Sequence, residues 1–169
     1  EHVLRDQGYK GPLIKLPQLG VDTDLFAPDN DGKVKQKLGL GSFVIGFVGR
    51  LVHEKGLQVL MDALDIFEGK FDLLILGAGE MENTILDWSD TLSVGKSVHM
   101  YQSVTHEKVP SILNAIDVLV LPSLTTDDWK EQFGHVLIEA MSCEVAVIGS
   151  DSAEIPNVID NSGIVVPEN

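Results

Sequence analysis

The chain has little positive charge, one cysteine and no long hydrophobic run. Its 169 residues carry 12 Lys and Arg against 26 Asp and Glu, which gives a formal net charge of −14 at pH 7. Binding to nucleic acid depends on clustered cations that replace counterions, so this deficit argues against nucleic acid and against membrane contact through this segment. An anionic ligand would have to be held by a few local cations.

The single cysteine, Cys143, excludes an internal disulfide, and no Cys/His cluster has the spacing of a zinc site. We therefore expect Cys143 to be a small core residue in a protein of the reducing cytoplasm. No apolar run approaches the roughly 20 residues that span a bilayer, and the first residues lack the form of a signal peptide. Any peripheral contact with the inner membrane is expected from a part of the protein outside this segment.

The composition is that of one globular domain. Hydrophobic residues make up 44% and charged residues 22% of the chain, and its length suits one core over residues 1–169. The chain begins in a helical pattern and ends just after the apolar run 163–166, with nothing left to pack over that run. We therefore expect a fragment of a longer, two-domain protein, in which residues 1–28 form a linker into this domain.

Short apolar runs alternate with segments of helical periodicity. The runs read as strands at 13–16, 43–48, 71–76, 97–101, 117–122, 144–149 and 163–166. The helical segments cover 1–8, 57–64, 81–92, a stretch from about 107, a stretch from 133, and 157–159. Repeated βαβ order with right-handed crossovers predicts an α/β fold, a doubly wound, Rossmann-like parallel sheet with helices on both faces.

Two glutamates, Glu131 and Glu139, flank the start of one predicted helix. From Phe133 on, apolar residues recur at i, i+3, i+4, i+7 and i+8, while Gly134 suits a loop that enters a helix. Helical rise would separate the glutamates by roughly 12 Å, the span of a sugar joined to a nucleotide. Uncapped amides between them favour phosphate. The alternative is an amphipathic surface helix with two solvated glutamates.

Two cations, Arg50 and Lys55, flank a turn at the carboxyl end of the strand 43–48. Open α/β sheets bind ligands at this edge, and no acidic cluster in the sequence requires either cation as a partner. The alternative is a pair of solvated surface charges. Further loops are predicted to open on the same edge, at 77–80, 102–105, 123–134 and 150–154.

Two short motifs resemble known ligand-binding motifs but do not fulfil their requirements. Gly77 and Gly79 begin a dinucleotide fingerprint that needs glycine or alanine at 82, where Glu82 stands, so only a tight turn is predicted. Asp22 and Asp24 have the spacing of a cation-binding pair but lie in a Gly/Pro loop. A capping or Asx-turn role is the better interpretation there.

Several motifs in a fixed order resemble one enzyme family. They are Gly49-Arg50-Leu51 with Lys55-Gly56, Gly77-Ala78-Gly79, Glu131-Gln-Phe-Gly with Glu139-Ala-Met, Ile155-Pro156, and the lead-in Gly20-Val-Asp-Thr-Asp-Leu-Phe-Ala-Pro28. Together they resemble the C-terminal, nucleotide-sugar-binding half of the retaining GT-B glycosyltransferases of the "group 1" family. The similarity runs through nearly the whole chain.

The resemblance implies a function and its partners. A domain of this kind binds a nucleoside diphosphate sugar as donor, without a cofactor or a metal ion. The sugar would pass to a glycan, a lipid or a small molecule that is bound by an N-terminal domain outside this chain. A GT-B-like sugar-nucleotide epimerase and a non-catalytic nucleotide-binding module remain as alternatives, because a fold does not fix a function.

The resemblance also implies residue roles. Arg50 and Lys55 would hold the diphosphate, Glu131 would approach hydroxyls of the transferred sugar, and Glu139 would approach the ribose hydroxyls. Arg50, Lys55 and Glu131 form the expected catalytic set. The other expected donor contacts, besides Glu139, are Gly49, Gly77, Gly79, Val104, Gln132, Phe133, Gly134, His135 and Val136.

Three positions depart from the family pattern. Gln18-Leu19 replaces a frequent Pro-Asn, His135 stands where arginine is frequent, and Ala153-Glu154 stands where a glycine is common. Because the charge of histidine changes near neutrality, His135 predicts a weaker or pH-sensitive phosphate contact. Ala153 predicts a restricted turn.

Overall fold

The computed structural model describes residues 2–14, 19–29, 32–41 and 43–168. Within them, the strands are β1 Val44–Val48, β2 Phe71–Leu76, β3 Lys96–Tyr101, β4 Val118–Leu121, β5 Ala146–Ser150 and β6 Ile164–Val166. The helices are α1 His2–Asp6, α2 Lys33–Lys37, α3 Leu57–Ile66, α4 Glu82–Ser89, α5 Val109–Leu113, α6 His135–Ser142 and α7 Ile155–Ile159. Single 3-10 turns occupy His53–Lys55 and His106–Lys108.

The strands form one parallel sheet in the order β3-β2-β1-β4-β5-β6. From β1 the chain winds outward to β3, then returns to the other side of β1 with β4 and winds outward again. The winding therefore reverses between β1 and β4, and this switch point is where doubly wound sheets bind ligands. The predicted doubly wound, Rossmann-like fold is confirmed.

Helices cover both faces of the sheet. On one face, α3 and α4 pack against side chains such as Phe47 and Ile75, while on the other α5, α6 and α7 pack against side chains such as Val44 and Leu74. Adjacent strand residues point to opposite faces, so both sets are buried. This is why the central strands read as continuous apolar runs.

The end of the segment that the sequence predicts as a linker packs against the rest of the chain. Phe26 is 1% exposed, its ring lies 5.1 Å from the ring of His106, and its carbonyl accepts a hydrogen bond from the Ser142 hydroxyl. Asp22 Oδ1 accepts the backbone N–H groups of residues 24 and 25, at 3.0 and 3.2 Å. The predicted Asx turn is therefore confirmed.

Several sequence predictions need correction. Helix α6 begins at His135 rather than Phe133, because Gly134 has a left-handed backbone conformation (φ 73°) that cannot continue a helix. Leu13 and Ile14 are not in a strand, and the rest of the predicted strand 13–16 lies outside the described residues. The short helix α2 was not predicted; it has no buried residues and therefore no clear apolar face.

The expectation for Cys143 is met. Cys143 is 4% exposed, and burial raises the pKa of its thiol to about 11, as suits an inert core residue. The apolar side chains of β6 at the sheet edge are exposed, with Ile164 at 58%.

Candidate functional site

The carboxyl ends of β1 and β4 bring the two predicted motifs together. The loop after β1 carries Lys55, and the loop after β4 carries Glu131. The N–H of Leu124 donates to the carbonyl of Glu54 at 2.8 Å, which ties one loop to the other. The candidate site is therefore the crevice at the switch point of the sheet, where ligands of doubly wound folds bind.

Lys55 and Glu131 form a direct ion pair across this crevice. Lys55 Nζ lies 2.5 Å from Glu131 Oε2, and the side chains are only 14% and 10% exposed. The expectation that Lys55 lacks an acidic partner is therefore wrong. The sequence concealed the pair because its members are 76 residues apart and meet only where the sheet reverses.

Two residues that sequence reasoning missed complete this cluster. The hydroxyl of Ser123, which is fully buried, donates to Glu131 Oε2 at 2.9 Å. The ring of Trp129 faces Lys55, with Nζ 5.0 Å from the ring centroid, a cation–π contact. Thr126 holds Trp129 in place, donating its N–H to the Trp129 carbonyl at 2.7 Å and accepting the Trp129 N–H at 3.0 Å. Trp129 could have been identified from the sequence, because it is an aromatic residue alone in a polar loop.

Arg50 lies at the same edge but remains largely in solvent. Its side chain is 62% exposed, and its guanidinium contacts Glu54, four residues along the chain, at 3.4 Å. Exposed pairs of this kind contribute little to stability. The two predicted cations therefore differ: Lys55 is enclosed, whereas Arg50 is available to an incoming anion.

Glu139 is 7% exposed, the same as Glu131, so the alternative of two solvated glutamates is wrong. Its Oε1 faces two imidazoles, His135 Nδ1 at 3.4 Å and His106 Nδ1 at 4.0 Å. Burial raises the pKa of the Glu139 carboxyl, and the nearby His135 and His106 offset part of that rise. Burial therefore disfavours the ionised form of the Glu139 carboxyl.

His135 joins the start of α6 to the linker. Its Nε2 lies 2.8 Å from the carbonyl oxygen of Gly20, an acceptor, so Nε2 carries the proton and donates. Its Nδ1 faces Glu139. His135 thus contacts both the linker and a buried carboxylate, and the sequence gave no sign of the linker contact.

The remaining residues at the start of α6 differ in exposure. Gln132 is exposed, and Phe133 and Val136 are half-buried. Gly134 is buried, and a side chain there would meet Leu121 at 2.9 Å. Among the described residues no side chain caps this helix, so its first amides are available to a ligand.

The glycines of the neighbouring loops are explained by close packing. A Cβ at Gly77 would lie 1.9 Å from the carbonyl oxygen of Gly49, and one at Gly79 would lie 2.3 Å from that of Leu51. The N–H of Gly79 also donates to the Glu82 carboxylate at 3.1 Å, so Glu82 closes a tight turn. These contacts pack the loop after β2 closely against the loop after β1.

The third loop of this edge contributes packing. Val104, an expected donor contact, is half-buried and packs against the core on the α5 side of the sheet. Beside it, the 3-10 turn places His106 against Glu139. His106 was not singled out from the sequence, because its carboxylate partner is remote in the chain.

The described residues contain neither a metal-binding cluster nor a membrane-spanning helix. No group of three or more His, Cys, Asp or Glu side chains is arranged to hold a metal ion. None of the described helices is both long enough and apolar enough to cross a bilayer.

The chain belongs to a known family. The sequence profile of the "Glycosyl transferases group 1" family matches residues 30–169. The fold and the family together define a GT-B glycosyltransferase domain, as the motifs predicted.

The comparisons also give particular relatives. The chain is 31% identical over 159 residues to the GDP-mannose-dependent alpha-(1-6)-phosphatidylinositol monomannoside mannosyltransferase of Mycolicibacterium smegmatis, covering 88% of this chain and 42% of that protein. It spans about two fifths of the length of the curated relatives that it matches.

Solved structures show the same fold. One is the C-terminal domain of the glycosyl transferase group 1 family protein LpcC from Francisella tularensis, with a TM-score of 0.70 and 24% identity, covering 88% of this chain and 80% of that chain. Another is Anabaena HepE in complex with UDP-glucose, with a TM-score of 0.72 and 22% identity, covering 88% of this chain and 42% of that one.

Proposed function

We propose that this domain binds the donor of a retaining glycosyltransferase, a nucleoside diphosphate sugar. The observation that carries the proposal is the pair of buried carboxylates, Glu131 and Glu139, each 7% exposed and set on either side of the start of α6. Buried carboxylates are costly unless paired or hydrogen-bonded. Hydroxyl groups of a sugar and of a ribose would supply donors to both.

The groups between the glutamates suit a diphosphate. Arg50 is exposed at the mouth of the crevice, Lys55 is enclosed within it, and the first amides of α6 are uncapped. As the bond between sugar and diphosphate breaks, negative charge grows on the leaving phosphate. Fixed cations and helix-start amides stabilise that charge.

Two supports lie outside the geometry. HepE, a structure of the same fold, holds UDP-glucose, and the mycobacterial relative is named for GDP-mannose. We extend a nucleotide-sugar ligand to this chain on that basis, and we assign the retaining course by the family resemblance. The acceptor, a glycan, a lipid or a small molecule, would be bound by a further domain of the whole protein. A cytoplasmic location suits the buried free thiol of Cys143.

Isothermal titration calorimetry of the full-length protein with UDP, GDP, UDP-glucose and GDP-mannose tests the donor role. We expect one diphosphate to bind and the matching sugar nucleotide to bind more tightly. Binding of bare nucleotide with no preference for a sugar would instead identify a regulatory module. Conversion of a sugar nucleotide to its epimer, with no transfer to an acceptor, would identify an epimerase.

We further propose that transfer needs no metal ion, because Arg50 and Lys55 would themselves supply positive charge to the diphosphate. Activity of the full-length enzyme should survive EDTA. Complete loss that Mg²⁺ or Mn²⁺ restores would overturn this part of the proposal and return attention to Asp127 and Asp128, which lie exposed in the loop after β4.

A further inference from the structure

One oxygen of Glu131 has two protein partners. Oε2 lies 2.5 Å from Lys55 Nζ and accepts the Ser123 hydroxyl at 2.9 Å. For Oε1, no hydrogen bond is found among the described residues. The carboxylate is therefore held by one oxygen and presents the other to the crevice.

Ser123 is the rigid partner of the two. It follows the buried end of β4, is fully buried, and its carbonyl accepts a hydrogen bond from the hydroxyl of buried Ser150 on β5. A serine side chain has one rotatable bond that moves its oxygen, and here Pro122 before it is buried and Leu124 after it is half-buried. Its hydroxyl is thus fixed relative to the sheet.

Lys55 is the partner that a ligand would draw away. Its ammonium group ends a long, flexible side chain, and a diphosphate in the crevice would compete with Glu131 for the same charge. A carboxylate that loses its cation without another donor is free to rotate and is poorly compensated. When Lys55 turns to a phosphate, Ser123 would be the remaining donor to Oε2.

We propose that Ser123 is the positioning residue that holds Glu131 in the orientation that recognises the sugar while Lys55 serves the diphosphate. This inference rests on the proposed function, because it assumes a donor that carries both groups. It assigns sugar selectivity to a buried hydroxyl that need not touch the sugar.

The first test needs no ligand. Ser123→Ala and Glu131→Ala are combined in a double-mutant cycle, and thermal unfolding of the full-length protein is followed. The double variant should lose about 2–4 °C less in Tm than the sum of the single losses, because both remove the same hydrogen bond. The matched control is Ser152→Ala, an equally buried serine whose hydroxyl contacts Thr125 at 3.0 Å instead. Its loss should add to that of Glu131→Ala within about 1 °C.

The second test measures sugar preference, the ratio of the Kd of the bare diphosphate to that of its sugar nucleotide, with UDP and UDP-glucose or GDP and GDP-mannose. Ser123→Ala should lower this ratio about fivefold to tenfold and change the Kd of the bare diphosphate less than twofold. Ser123→Thr, which keeps the hydroxyl, should restore the ratio, and Ser152→Ala should leave it unchanged.

The outcomes separate the two proposals. Equal sugar preference in wild type and Ser123→Ala, or equal loss in Ser152→Ala, overturns the positioning role while the donor site stands. Additive Tm losses for Ser123→Ala and Glu131→Ala also overturn it. A wild-type protein that binds none of the four nucleotides overturns the proposed function, and the positioning role with it.

Discussion

Glu131 and Glu139 are buried to the same extent, 7% exposed, but their surroundings differ. At the Glu131 end, an ammonium group at 2.5 Å and a buried hydroxyl at 2.9 Å share one oxygen. At the Glu139 end, two imidazoles lie 3.4 and 4.0 Å away, and the Cys143 thiol is close enough for the carboxylate to help raise the pKa of that thiol. One carboxylate is compensated within the domain, and the other is largely not.

This difference indicates what each carboxylate needs from a ligand. Glu131 already has strong donors, so a ligand must compete with Lys55 or use the remaining oxygen. Glu139 has weak partners and a raised pKa caused by burial, so hydroxyl donors would relieve an existing penalty. We therefore expect Glu139 to supply affinity and Glu131 to supply discrimination.

The largest effect is expected from Lys55→Ala. Removing the cation leaves the Glu131 carboxylate enclosed without its charge partner, and should lower the free energy of unfolding by about 3 kcal/mol. Urea unfolding measures this loss, and calorimetry should show weaker diphosphate binding. Arg50→Ala is the control: its side chain is 62% exposed, so stability should change by less than about 0.5 kcal/mol while diphosphate affinity still falls. Equal stability losses would contradict the comparison.

The next effect concerns binding by the two glutamates. Glu139→Ala should weaken the bare nucleoside diphosphate and the sugar nucleotide alike, by about 1.5–3 kcal/mol, because the ribose is common to both. Glu131→Ala should leave the bare diphosphate nearly unaffected and reduce discrimination between sugars. Titrations with UDP, GDP and their sugars decide the matter. Equal losses for two well-folded variants, or none, would refute this division of roles.

A smaller effect is expected on stability from Glu139→Gln. The folded-state pKa of Glu139 is raised, so the folded state loses stability as pH rises through that pKa and the carboxylate ionises. The amide removes this penalty, so the Tm of Glu139→Gln should exceed that of the wild type at pH 8. Well below the ordinary pKa of 4.5, both the folded and the unfolded wild type carry a protonated Glu139, so the gain should disappear.

The control for this pH dependence is Glu80→Gln, the same change at an exposed position, which should have little effect at either pH. A Glu139→Gln variant less stable than wild type at pH 8 would show that the imidazoles compensate the charge fully. The asymmetry between the two glutamates would then be lost.

The smallest effect is expected near the Glu131 end, at Ala153. This residue has a left-handed backbone (φ 47°), and the N–H of the next residue, Glu154, lies 3.5 Å from the Glu131 carbonyl. Ala153→Gly should raise the free energy of unfolding by about 0.5–1 kcal/mol, since glycine adopts this conformation without a steric cost. Ala78 is exposed and does not have a positive φ, so Ala78→Gly should instead lower the free energy of unfolding. Similar Tm shifts for the two variants would contradict a steric cost of the left-handed backbone at Ala153.

Much of the fold could be predicted because its signals are local. The strand Phe71–Leu76 has the predicted bounds, and the helix that follows Gly56 buries the predicted Leu57, Leu60, Met61 and Leu64. The exceptions are also local. The start of α6 was predicted two residues too early, because hydrophobic spacing does not reveal the left-handed backbone of Gly134.

The candidate site was only partly predictable, for a different reason. Arg50, Lys55, Glu131 and Glu139 were identified by motif and by their place after strands, and the structure brings Lys55 and Glu131 into contact. Their partners were missed because the decisive contacts join residues far apart in the chain, such as the linker carbonyl of Gly20 with His135. Whether those four side chains bind a donor stays a prediction.

The sequence by itself determined the order of strands and helices, the sparse cations and the edge where they gather, because periodicity and strand polarity are properties of neighbouring residues. Only the tertiary structure decided which charged side chains are buried and which partners they have. Sheet order placed Lys55 against Glu131 and His106 against Glu139, whereas His135 meets Glu139 one turn along the same helix. Burial and pairing depend on distances across the fold, so two glutamates that look alike in the sequence acquire different electrostatics only once the β1–β4 crevice has formed.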